Sequence, residues 1–454
     1  MNKTRRTAAL LLLSSSTLAL ATHAFAADLT PSDAAAPQQY AQTTPAPTPA
    51  PAATTAAAAK PEEPKAPAAW ADTLKMNLQI EAGAVVNPAN PGNGVNFGQL
   101  FTDRSNQFVM NQALFGIQRP LDPKATDWDF GFQVQGLYGT DARYAQFLGM
   151  WNSAFASKYQ MSIINANGQV HMPLLFDGGI DVKAGLFPTP LGLETIDPST
   201  NPFYSHSYIF NFGLPLLSFG GLAVAHVSPV VDIYLGADSG VNTTVGSGDQ
   251  NTAGAGTVGF GLNNLMDGKL TVLALTHFGP ENSSLVVPNA NSYFRYLNDI
   301  LLTYKATDAL TLTTEVNLIR DDYGLGHGAA NGFGAAQYVG YTLNDNVTLN
   351  GRAEVYRDDN GFFVAAFRGY HDFVNLQLGR PAAGVVGVGA ATYSEITLGL
   401  TWKPTLPDGI KNAVANFMIR PEVRYDYALT NTKAFNNGQD RGAFTFAADF
   451  VLGF

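Results

Sequence analysis

The sequence predicts an all-β chain whose strands close into a transmembrane antiparallel β-barrel. Three observations indicate this fold: apolar and polar residues alternate from about Leu74 to the last residue, the connections alternate between short and long, and the chain ends in an aromatic segment. The 454 residues include 45 Gly and 26 Pro but only 14% charged side chains. Because Cys is absent, disulfides, thiol nucleophiles and Cys-ligated metal centres are excluded.

The first 26 residues are typical of a secretory signal peptide. Lys3, Arg5 and Arg6 give a basic start, an apolar stretch follows, and the Ala-Phe-Ala sequence at 24–26 provides a cleavage site. An uncleaved amino-terminal anchor is the alternative. Beyond this stretch no run approaches the ~18 apolar residues of a membrane-spanning helix. We therefore expect an exported chain whose signal peptide is removed.

Residues 27–70 form a segment that is rich in Ala, Pro and Thr. Such a composition buries too little apolar surface to offset the entropy lost on ordering, so we expect a disordered periplasmic linker. Its Ala-Pro repeats favour an extended, semi-rigid spacer. It is either a tether without a specific function or a strut that contacts the cell wall. The barrel domain then spans 71–454.

The alternation places an apolar set of side chains on one face of each strand and a polar set on the other. In the segment 310–318, for example, Leu and Val alternate with Thr, Glu and Asn. A soluble sandwich would turn the apolar faces inward, whereas an outer-membrane barrel turns them towards lipid. The alternation alone does not distinguish these two arrangements.

Segment length, connection length and the last strand favour the membrane barrel. Segments of about 9–12 residues match the tilted span of a bilayer. Short connections such as 227–230 alternate with long ones such as 188–218 and 320–334, as periplasmic turns and external loops do. Phe450 and Phe454 share the apolar face of the last segment, which resembles the signal that the barrel assembly machinery recognises.

Sixteen segments carry the pattern, and the uncertain part of the count is 358–392. One additional strand there would leave the two chain ends on opposite sides of the membrane, and single-chain bacterial barrels use even numbers of strands. We therefore expect sixteen strands with 358–392 as one long loop, or eighteen with a two-strand excursion. A barrel of this size encloses an aqueous channel. We expect its lumen to be wide, lined by polar groups and open to small hydrophilic solutes.

Four stretches resemble the bacterial β-barrel porin-2 family of outer-membrane porins: 119–144, 184–216, 293–322 and 349–361. The second, AGLFPTPLGLETIDPSTNPFYSHSYIFNFGLPL, is the most specific, because it is a loop sequence that the alternation does not impose. The resemblance implies an outer-membrane pore-former. Together with the wide polar lumen, it leads us to expect a porin for passive diffusion of small hydrophilic solutes, without a cofactor. Porins often form oligomers, so a homo-oligomer is a further expectation. The resemblance does not identify a substrate.

The connection 188–218 is the first candidate site. A loop of this length that contains several prolines is usually functional or folded on itself. We expect it to enter the lumen and to form a constriction with Glu194, Asp197, Tyr204 and His206. The two acids would favour cations and neutral solutes. A rigid external cap whose acids are solvated is the alternative.

Charged residues on the polar face are candidates for the lumen wall. Positive and negative sides that face each other would create a transverse field that orders polar solutes. Alternatively, most of these residues form structural ladders that brace the wall, which is the interpretation we favour. The candidates are Lys183, Glu315, Arg352, Glu354, Arg420, Glu422 and Arg424.

The remaining motifs do not favour a metal site or catalysis. Asp321-Asp322 and Asp358-Asp359 precede Gly turns, where carboxylates can hold Ca²⁺, but their spacing is not that of an EF-hand, so we expect solvated loop tips. Ser205-His206 is not a catalytic dyad, since adjacent residues of an extended chain point to opposite sides. We expect no catalytic residue and no metal ligand. A barrel hydrolase remains an alternative function, as does a structural or adhesive barrel with a plugged lumen and partner-binding loops.

The charge of the chain argues against one class of partner. The formal net charge is −10, and no basic run follows the signal peptide. Nucleic-acid binding requires clustered Lys and Arg, because these side chains contact the phosphates. We therefore expect no nucleic-acid partner, and the expected partners are outer-membrane lipid and small solutes.

Overall fold

The computed structural model describes residues 73–151, 156–246, 249–324, 326, 328–411 and 413–454. The signal peptide predicted for 1–26 and the linker predicted for 27–70 lie outside these ranges and stay predictions. The strands within the described ranges are β1 (Lys75–Val86), β2 (Gln107–Arg119), β3 (Asp129–Gly139), β4 (Gln160–Met172), β5 (Ile180–Pro188), β6 (Leu217–His226), β7 (Val231–Asp238), β8 (Ala255–Asn264), β9 (Leu270–Pro280), β10 (Phe294–Lys305), β11 (Leu310–Asp321), β12 (Ala330–Asn344), β13 (Val347–Asp358), β14 (Ala366–Phe367), β15 (Val385–Val386), β16 (Ala391–Trp402), β17 (Asn416–Ala428) and β18 (Gly442–Gly453).

Sixteen of these strands form one closed antiparallel barrel. Strands that follow each other in the chain are neighbours in the sheet, β13 pairs with β16, and β1 pairs with β18 to close it. The predicted number of sixteen is therefore confirmed. The short strands β14 and β15 pair with each other in the connection 359–390, which is one long loop as the sequence predicts.

The helices of the described residues are short and lie in connections between strands. None of those described has the length and hydropathy that crossing a membrane would require. The α-helical turns are Leu265–Gly268, Asp372–Gln377 and Asp408–Lys411, the 3₁₀ turns are Asp141–Arg143, Pro198–Thr200 and Ala290–Ser292, and a π-helical turn covers Ile209–Gly213.

The outward faces of the barrel strands carry the apolar side chains. Phe108 on β2, Leu235 on β7 and Leu398 on β16 are 67%, 66% and 59% exposed. The alternate residues face the lumen, and many of them are buried amide or charged side chains, such as Asn317 and Arg424. Hydrocarbon accommodates apolar side chains but cannot satisfy polar groups, so this orientation is that of a barrel in a membrane. The soluble sandwich, which the alternation alone also allows, is not formed.

The two ends of the barrel differ in the length of their connections. One end holds Leu74, Phe454 and most of the short connections, among them 345–346. The other end holds the longest connections, such as 189–216 and 359–390. Short periplasmic turns and long external loops are the rule for such barrels. We therefore call these ends the periplasmic and the outer end.

The bounds of β12 differ most from the sequence-based expectation. The sequence predicts a long connection over 320–334, whereas the connection is 322–329 and β12 begins at Ala330. Ala330 pairs with Asp321, so the first residues of β12 extend the ladder with β11. The alternation is hidden there because Ala, Asn and Gly are too small or too polar to mark an apolar face.

The lumen-facing side of β6, β7 and β9 also differs from the polar lining that the sequence predicts. Val224, Tyr234 and Leu275 face the lumen and are at most 3% exposed. They belong to the same apolar cluster as Leu214 from the connection 189–216. Neighbouring side chains therefore cover these three positions of the wall. An apolar residue is tolerated at these three positions because it packs against protein and not against water.

Candidate functional site

The connection 189–216 between β5 and β6 enters the barrel, and we call it the inserted loop. Two side chains set its local shape. The Asp197 carboxylate accepts the backbone N–H of Ser199 (2.9 Å) and so caps the 3₁₀ turn that follows. The Asn201 side chain accepts the Thr195 N–H (2.9 Å) and donates to the Thr195 carbonyl (2.7 Å), which closes a compact turn inside the loop.

Glu194 is the central anchor of the inserted loop. Its Oε1 lies 2.6 Å from Nη1 of Arg352 and accepts a hydrogen bond from the Tyr338 hydroxyl (3.1 Å). Its Oε2 lies 2.8 Å from Nδ1 of His206 and accepts the Ser207 N–H (3.0 Å). Burial alone would raise the pKa of Glu194, but the Arg352 guanidinium and the hydrogen bond from His206 outweigh burial and lower this pKa to about 2. Glu194 is therefore ionised, and its charge is matched by Arg352.

Two glutamates of the wall each hold two successive backbone N–H groups of the inserted loop. Glu422 on β17 accepts those of Tyr204 (2.9 Å) and Ser205 (3.2 Å). Glu354 on β13 accepts those of residues 208–209 (2.6 and 2.8 Å). The two carboxylates therefore hold the loop backbone at two fixed heights of the wall.

Three arginines of the wall contact the carbonyl groups of the inserted loop. Arg352 donates to the carbonyl of Ser205 (3.0 Å) and Arg424 to that of His206 (2.6 Å). Arg420 donates to the carbonyls of Pro198 (2.7 Å) and Asn201 (2.8 Å). Each arginine is also paired with an acid of the wall, so it connects loop and wall without leaving a buried charge unmatched. These pairs are Arg352 with Glu395, Arg420 with Glu81 and Asp449, and Arg424 with Asp426.

Glycines on the lumen face make room for side chains of the inserted loop. A Cβ atom at Gly334 on β12 would collide with the Ile209 side chain. A Cβ atom at Gly399 on β16 would lie 3.3 Å from the Phe203 ring. The wall therefore lacks side chains at the positions where the loop packs most closely against it.

The four residues predicted for the constriction all bind the inserted loop to the wall or to itself. Glu194 pairs with β13, Asp197 accepts a hydrogen bond from a glutamine of β1 (2.8 Å), and Tyr204 donates one to an asparagine of β2 (2.7 Å). Burial lowers the pKa of His206, so its neutral ring donates from Nδ1 to Glu194. The acids of this set are thus engaged in anchoring contacts.

The seven residues predicted for the lumen wall all face the lumen. Six of them contact the inserted loop, whereas Lys183 lies on β5 beside Asp181, apart from these anchors. The arginines alternate with acids along one half of the wall, which is the geometry of a bracing ladder. The six are Glu315, Arg352, Glu354, Arg420, Glu422 and Arg424.

Sequence reasoning missed several anchors of the same kind. Gln112 donates to the carbonyl of Ile196 (2.8 Å), and Asn317 donates to that of Gly213 (3.1 Å). Glu81 is a partner of Arg420. These side chains lie on the polar phase of their strands, so the alternation places them in the lumen but gives no sign of the loop atoms that they contact.

The acidic pairs at the outer end are not solvated loop tips, and that expectation is wrong for the first acid of each pair. Asp358 is fully buried and accepts the backbone N–H groups of residues 361–364 (2.9–3.1 Å). Asp321 is fully buried, lies 2.8 Å from Nη2 of Arg295 and accepts the Gly324 N–H (2.8 Å). Each acid therefore fastens an outer loop. In the part of the chain that the structure describes, no three His, Asp or Glu side chains converge as a metal site requires.

Comparisons with known proteins agree with this architecture. A family model described as "Putative beta-barrel porin-2, OmpL-like" matches residues 73–454, and this family is one of channel proteins. No curated protein matches the chain. Among solved structures, OmpF of Salmonella typhi in complex with daunomycin is similar with a TM-score of 0.50 and 10% identity, over 84% of this chain and 97% of that one.

Two further solved structures give comparable values. The anion-selective porin from Comamonas acidovorans has a TM-score of 0.49 and 8% identity, over 84% of this chain and 99% of that one. The outer membrane channel DcaP of Acinetobacter baumannii has a TM-score of 0.47 and 12% identity, over 84% and 97% of the two chains. At sequence identities of 8–12%, a structural similarity is evidence for a shared fold only.

Proposed function

The chain belongs to the β-barrel porin-2 family and is an outer-membrane porin, and from this premise we propose that the inserted loop narrows the path of its solutes. Small hydrophilic solutes diffuse passively down their gradient through the barrel, and the loop sets the largest size that passes. The observation that carries this proposal is the Glu194–Arg352 pair, which holds the loop inside the barrel at 2.6 Å. No cofactor is required for diffusion down a gradient.

The proposed path runs along one half of the lumen wall. The bonds that hold the inserted loop come from β1, β2, β10, β11, β12, β13, β16 and β17. The inserted loop thus lies against that half of the lumen wall. The half of the wall formed by β4 to β9 faces the opposite side of the loop. Because the anchoring acids are matched by arginines or by backbone N–H groups, we propose that size restricts passage more than charge does at this level.

A deletion tests the constriction. Removal of residues 194–211 should raise the single-channel conductance in planar bilayers and admit larger neutral solutes in liposome swelling. A matched control is the deletion of 283–289, an outer loop segment away from the inserted loop, which should leave both quantities close to wild type. Equal conductance and size limit in wild type and in the 194–211 deletion would contradict the constriction. A wild-type barrel that carries no current would instead favour the plugged structural or adhesive barrel.

We propose that export follows the predicted route, with cleavage after Ala26 and assembly directed by the last strand. The Phe454 N–H donates to the Leu78 carbonyl (2.8 Å), so the terminal residue takes part in closing the barrel. Amino-terminal sequencing of the mature protein tests the cleavage. F450A/F454A should lower the amount of folded barrel in the outer membrane, and normal amounts would contradict the assembly signal. Sedimentation with peptidoglycan, with and without 27–70, tests the linker.

We propose a homo-oligomer that forms through β9 to β12. Four polar side chains lie on the outward face there, and lipid offers them no hydrogen bonds. Thr276 donates to Asn298 (3.0 Å), Asn298 to the Leu318 carbonyl (3.0 Å) and Thr314 to Gln337 (2.7 Å). Contact with a second copy would remove this polar row from the hydrocarbon. Cross-linking in membranes should give oligomers that N298L/Q337L weakens, and a monomeric wild type or an unchanged oligomer in the variant would contradict the interface.

A further inference from the structure

We propose that residues 368–384, which we call the outer flap, cover the outer end of the proposed solute path and lift to let a solute pass. The outer flap is the part of the connection 359–390 that lies beyond the β14–β15 pair. The inference rests on the proposed passage, because it concerns access to the half of the lumen formed by β4 to β9. Four features of the flap lead to it: its narrow neck, the position of its tip, the weakness of the contacts at the tip and a buried polar atom without a partner.

The outer flap leaves its base through a narrow neck. The Arg368 N–H donates to the Gly384 carbonyl (3.0 Å), so the two ends of the flap adjoin. Asp372 accepts the Gly369 N–H (2.7 Å), and a Cβ atom at Gly384 would collide with this carboxylate. Below the neck, β14 and β15 pack against the apolar core of the barrel. The flap can therefore turn on its neck as one unit while its base stays in place.

The outer flap reaches across the outer opening of the barrel. It arises between β13 and β16, yet the Tyr370 carbonyl accepts a hydrogen bond from the side chain of Gln160 on β4 (2.8 Å). β4 is the sixth strand from β16, counted through β17, β18, β1, β2 and β3. In a ring of sixteen strands this is almost the opposite wall. Because the flap joins two distant parts of the ring, it spans the opening between them.

The tip of the outer flap contacts three outer connections, which belong to the half of the wall that the inserted loop leaves free. Gln250 of the β7–β8 connection donates to the Gln377 carbonyl (2.9 Å), and Ser283 of the β9–β10 connection donates to the Leu378 carbonyl (2.9 Å). Leu378 also belongs to a small buried apolar cluster, to which the β3–β4 connection contributes Leu148. The flap in this position thus covers the outer end of the proposed path.

The contacts of the tip are weaker than those of the inserted loop. None of the ion pairs between described residues involves the outer flap, whereas the buried Glu194–Arg352 pair holds the inserted loop. Arg104 and Arg143 lie over the Tyr370 ring, close to the neck and not at the tip. Neutral hydrogen bonds contribute little net free energy, because water replaces the partner when they break. The tip can therefore separate from the outer connections while the inserted loop stays in place.

A buried polar atom opposes the closed position of the outer flap. Oε1 of Gln377 is buried and accepts no hydrogen bond from any residue that the structure describes. Burial of a polar atom without a partner costs free energy, and solvent satisfies the atom once the tip lifts. This cost offsets part of the contacts of the tip. The closed and open positions are therefore close in free energy, as reversible opening requires.

A reversible cross-link tests the opening of the flap. The chain contains no Cys, so S283C/G379C can form only the intended disulfide within one chain. A Cβ atom at Gly379 would lie 2.8 Å from that of Ser283, and a shift of about 1 Å gives the Cβ separation of a disulfide. Oxidation should remove most of the single-channel sodium chloride current, and a thiol reductant should restore it. G379C alone carries the same substitution at positive φ and should show neither change.

Two variants that favour the open position test the flap from the other side. Replacement of 369–383 by an Asn-Gly turn joins the two ends of the neck through a two-residue hairpin and should abolish closures in single-channel recordings. Q250A removes one hydrogen bond to the tip and should increase the fraction of time that the channel is open. Q439A changes an exposed glutamine of another outer connection and should leave this fraction unchanged.

The outcomes separate the flap from the passage. Equal current before and after oxidation of S283C/G379C, with the cross-link shown by gel mobility after protease cleavage, would overturn the role of the flap. Closures of unchanged frequency in the barrel without 369–383 would do the same. Failure of the proposed passage would appear differently, as a folded barrel that carries no current even without the flap, and the inference would fail with it.

Discussion

Nη1 of Arg352 lies 2.6 Å from Oε1 of Glu194, and this contact joins strand β13 to the inserted loop inside the barrel. Both side chains are almost completely buried. Arg352 also donates to Glu395 of the neighbouring strand and to the Ser205 carbonyl (3.0 Å). One guanidinium thus connects two strands and two points of the loop.

Loss of this guanidinium should destabilise the barrel and release the loop. R352M leaves Glu194 and Glu395 buried without their partner, and breaking a buried pair costs about 3–5 kcal/mol. Urea unfolding in detergent, followed by gel mobility, measures the free energy of unfolding, and single-channel recordings should show increased current noise. R320M removes an exposed guanidinium paired with Asp322 and should cost at most about 1 kcal/mol. Equal losses in the two variants would contradict the anchoring role.

The glycine opposite Ile209 offers a second test of the loop position. G334A places a methyl group against the Ile209 side chain, and such overpacking costs about 1–3 kcal/mol. I209A alone removes buried atoms, but the double variant G334A/I209A regains the space, so the two changes should be strongly non-additive. G351A, at an outward position where a Cβ has no neighbour closer than 3.7 Å, should be nearly neutral. Additive effects of G334A and I209A on the free energy of unfolding would contradict the contact between Gly334 and the Ile209 side chain.

Much of the barrel could be predicted from the sequence, because one physical rule governs most of it. Strands between lipid and lumen must alternate, and this rule alone assigns Arg352, Glu354 and Arg424 to the lumen face. The alternation rule fails where a lumen-facing side chain contacts protein and not water. Leu275 on β9 faces the lumen but is buried among neighbouring side chains, so an apolar residue stands on a face expected to be polar.

The contacts of the inserted loop were beyond sequence reasoning for a different reason. Glu354 binds backbone N–H groups of residues 208–209, about which side-chain patterns carry no information. The same holds for Asp358, whose partners are the backbone N–H groups of 361–364. One signal was available: Gly334 and Gly399 interrupt the lumen phase of their strands, and glycine in a strand often marks a close approach of other chain.

The buried acid of the outer loop 281–293 should make stability depend on pH. Burial raises the pKa of Glu281 to about 7, against the opposing effects of His277 and Arg295, from an ordinary value of 4.5. Between these values the folded carboxyl keeps its proton while the unfolded one loses it, so stability falls as pH rises from about 4.5 to 7. The fall amounts to a few kcal/mol at most, since one pKa unit corresponds to about 1.4 kcal/mol.

A comparison of variants isolates the contribution of Glu281 from that of its neighbours, which include His277 and Asp238. E281Q keeps an acceptor for the Val241 N–H and should reduce the slope of unfolding free energy against pH in this window. D345N removes an exposed carboxylate at a periplasmic turn and is the matched control. An identical slope in wild type and E281Q would show that Glu281 does not titrate in this window.

The fully buried Asp358 should control the order of the connection 359–390. D358A leaves four backbone N–H groups without their acceptor, and each unsatisfied buried donor costs about 1–3 kcal/mol unless the loop opens to water. Limited proteolysis of intact cells should therefore cut the variant within this connection. If the connection 359–390 of D358A stays protected from the protease, contacts other than those of Asp358 are sufficient to order it.

Cysteine accessibility tests the central claim, passage along the half of the lumen that the inserted loop leaves free. The chain contains no Cys, so single substitutions give unambiguous labelling. A small charged thiol reagent should react with Q169C on the free half and lower the single-channel current, and it should spare A336C, which is 3% exposed behind the loop. L235C on the lipid face should leave the current unchanged. Rapid current loss at A336C, with none at Q169C, would contradict the account.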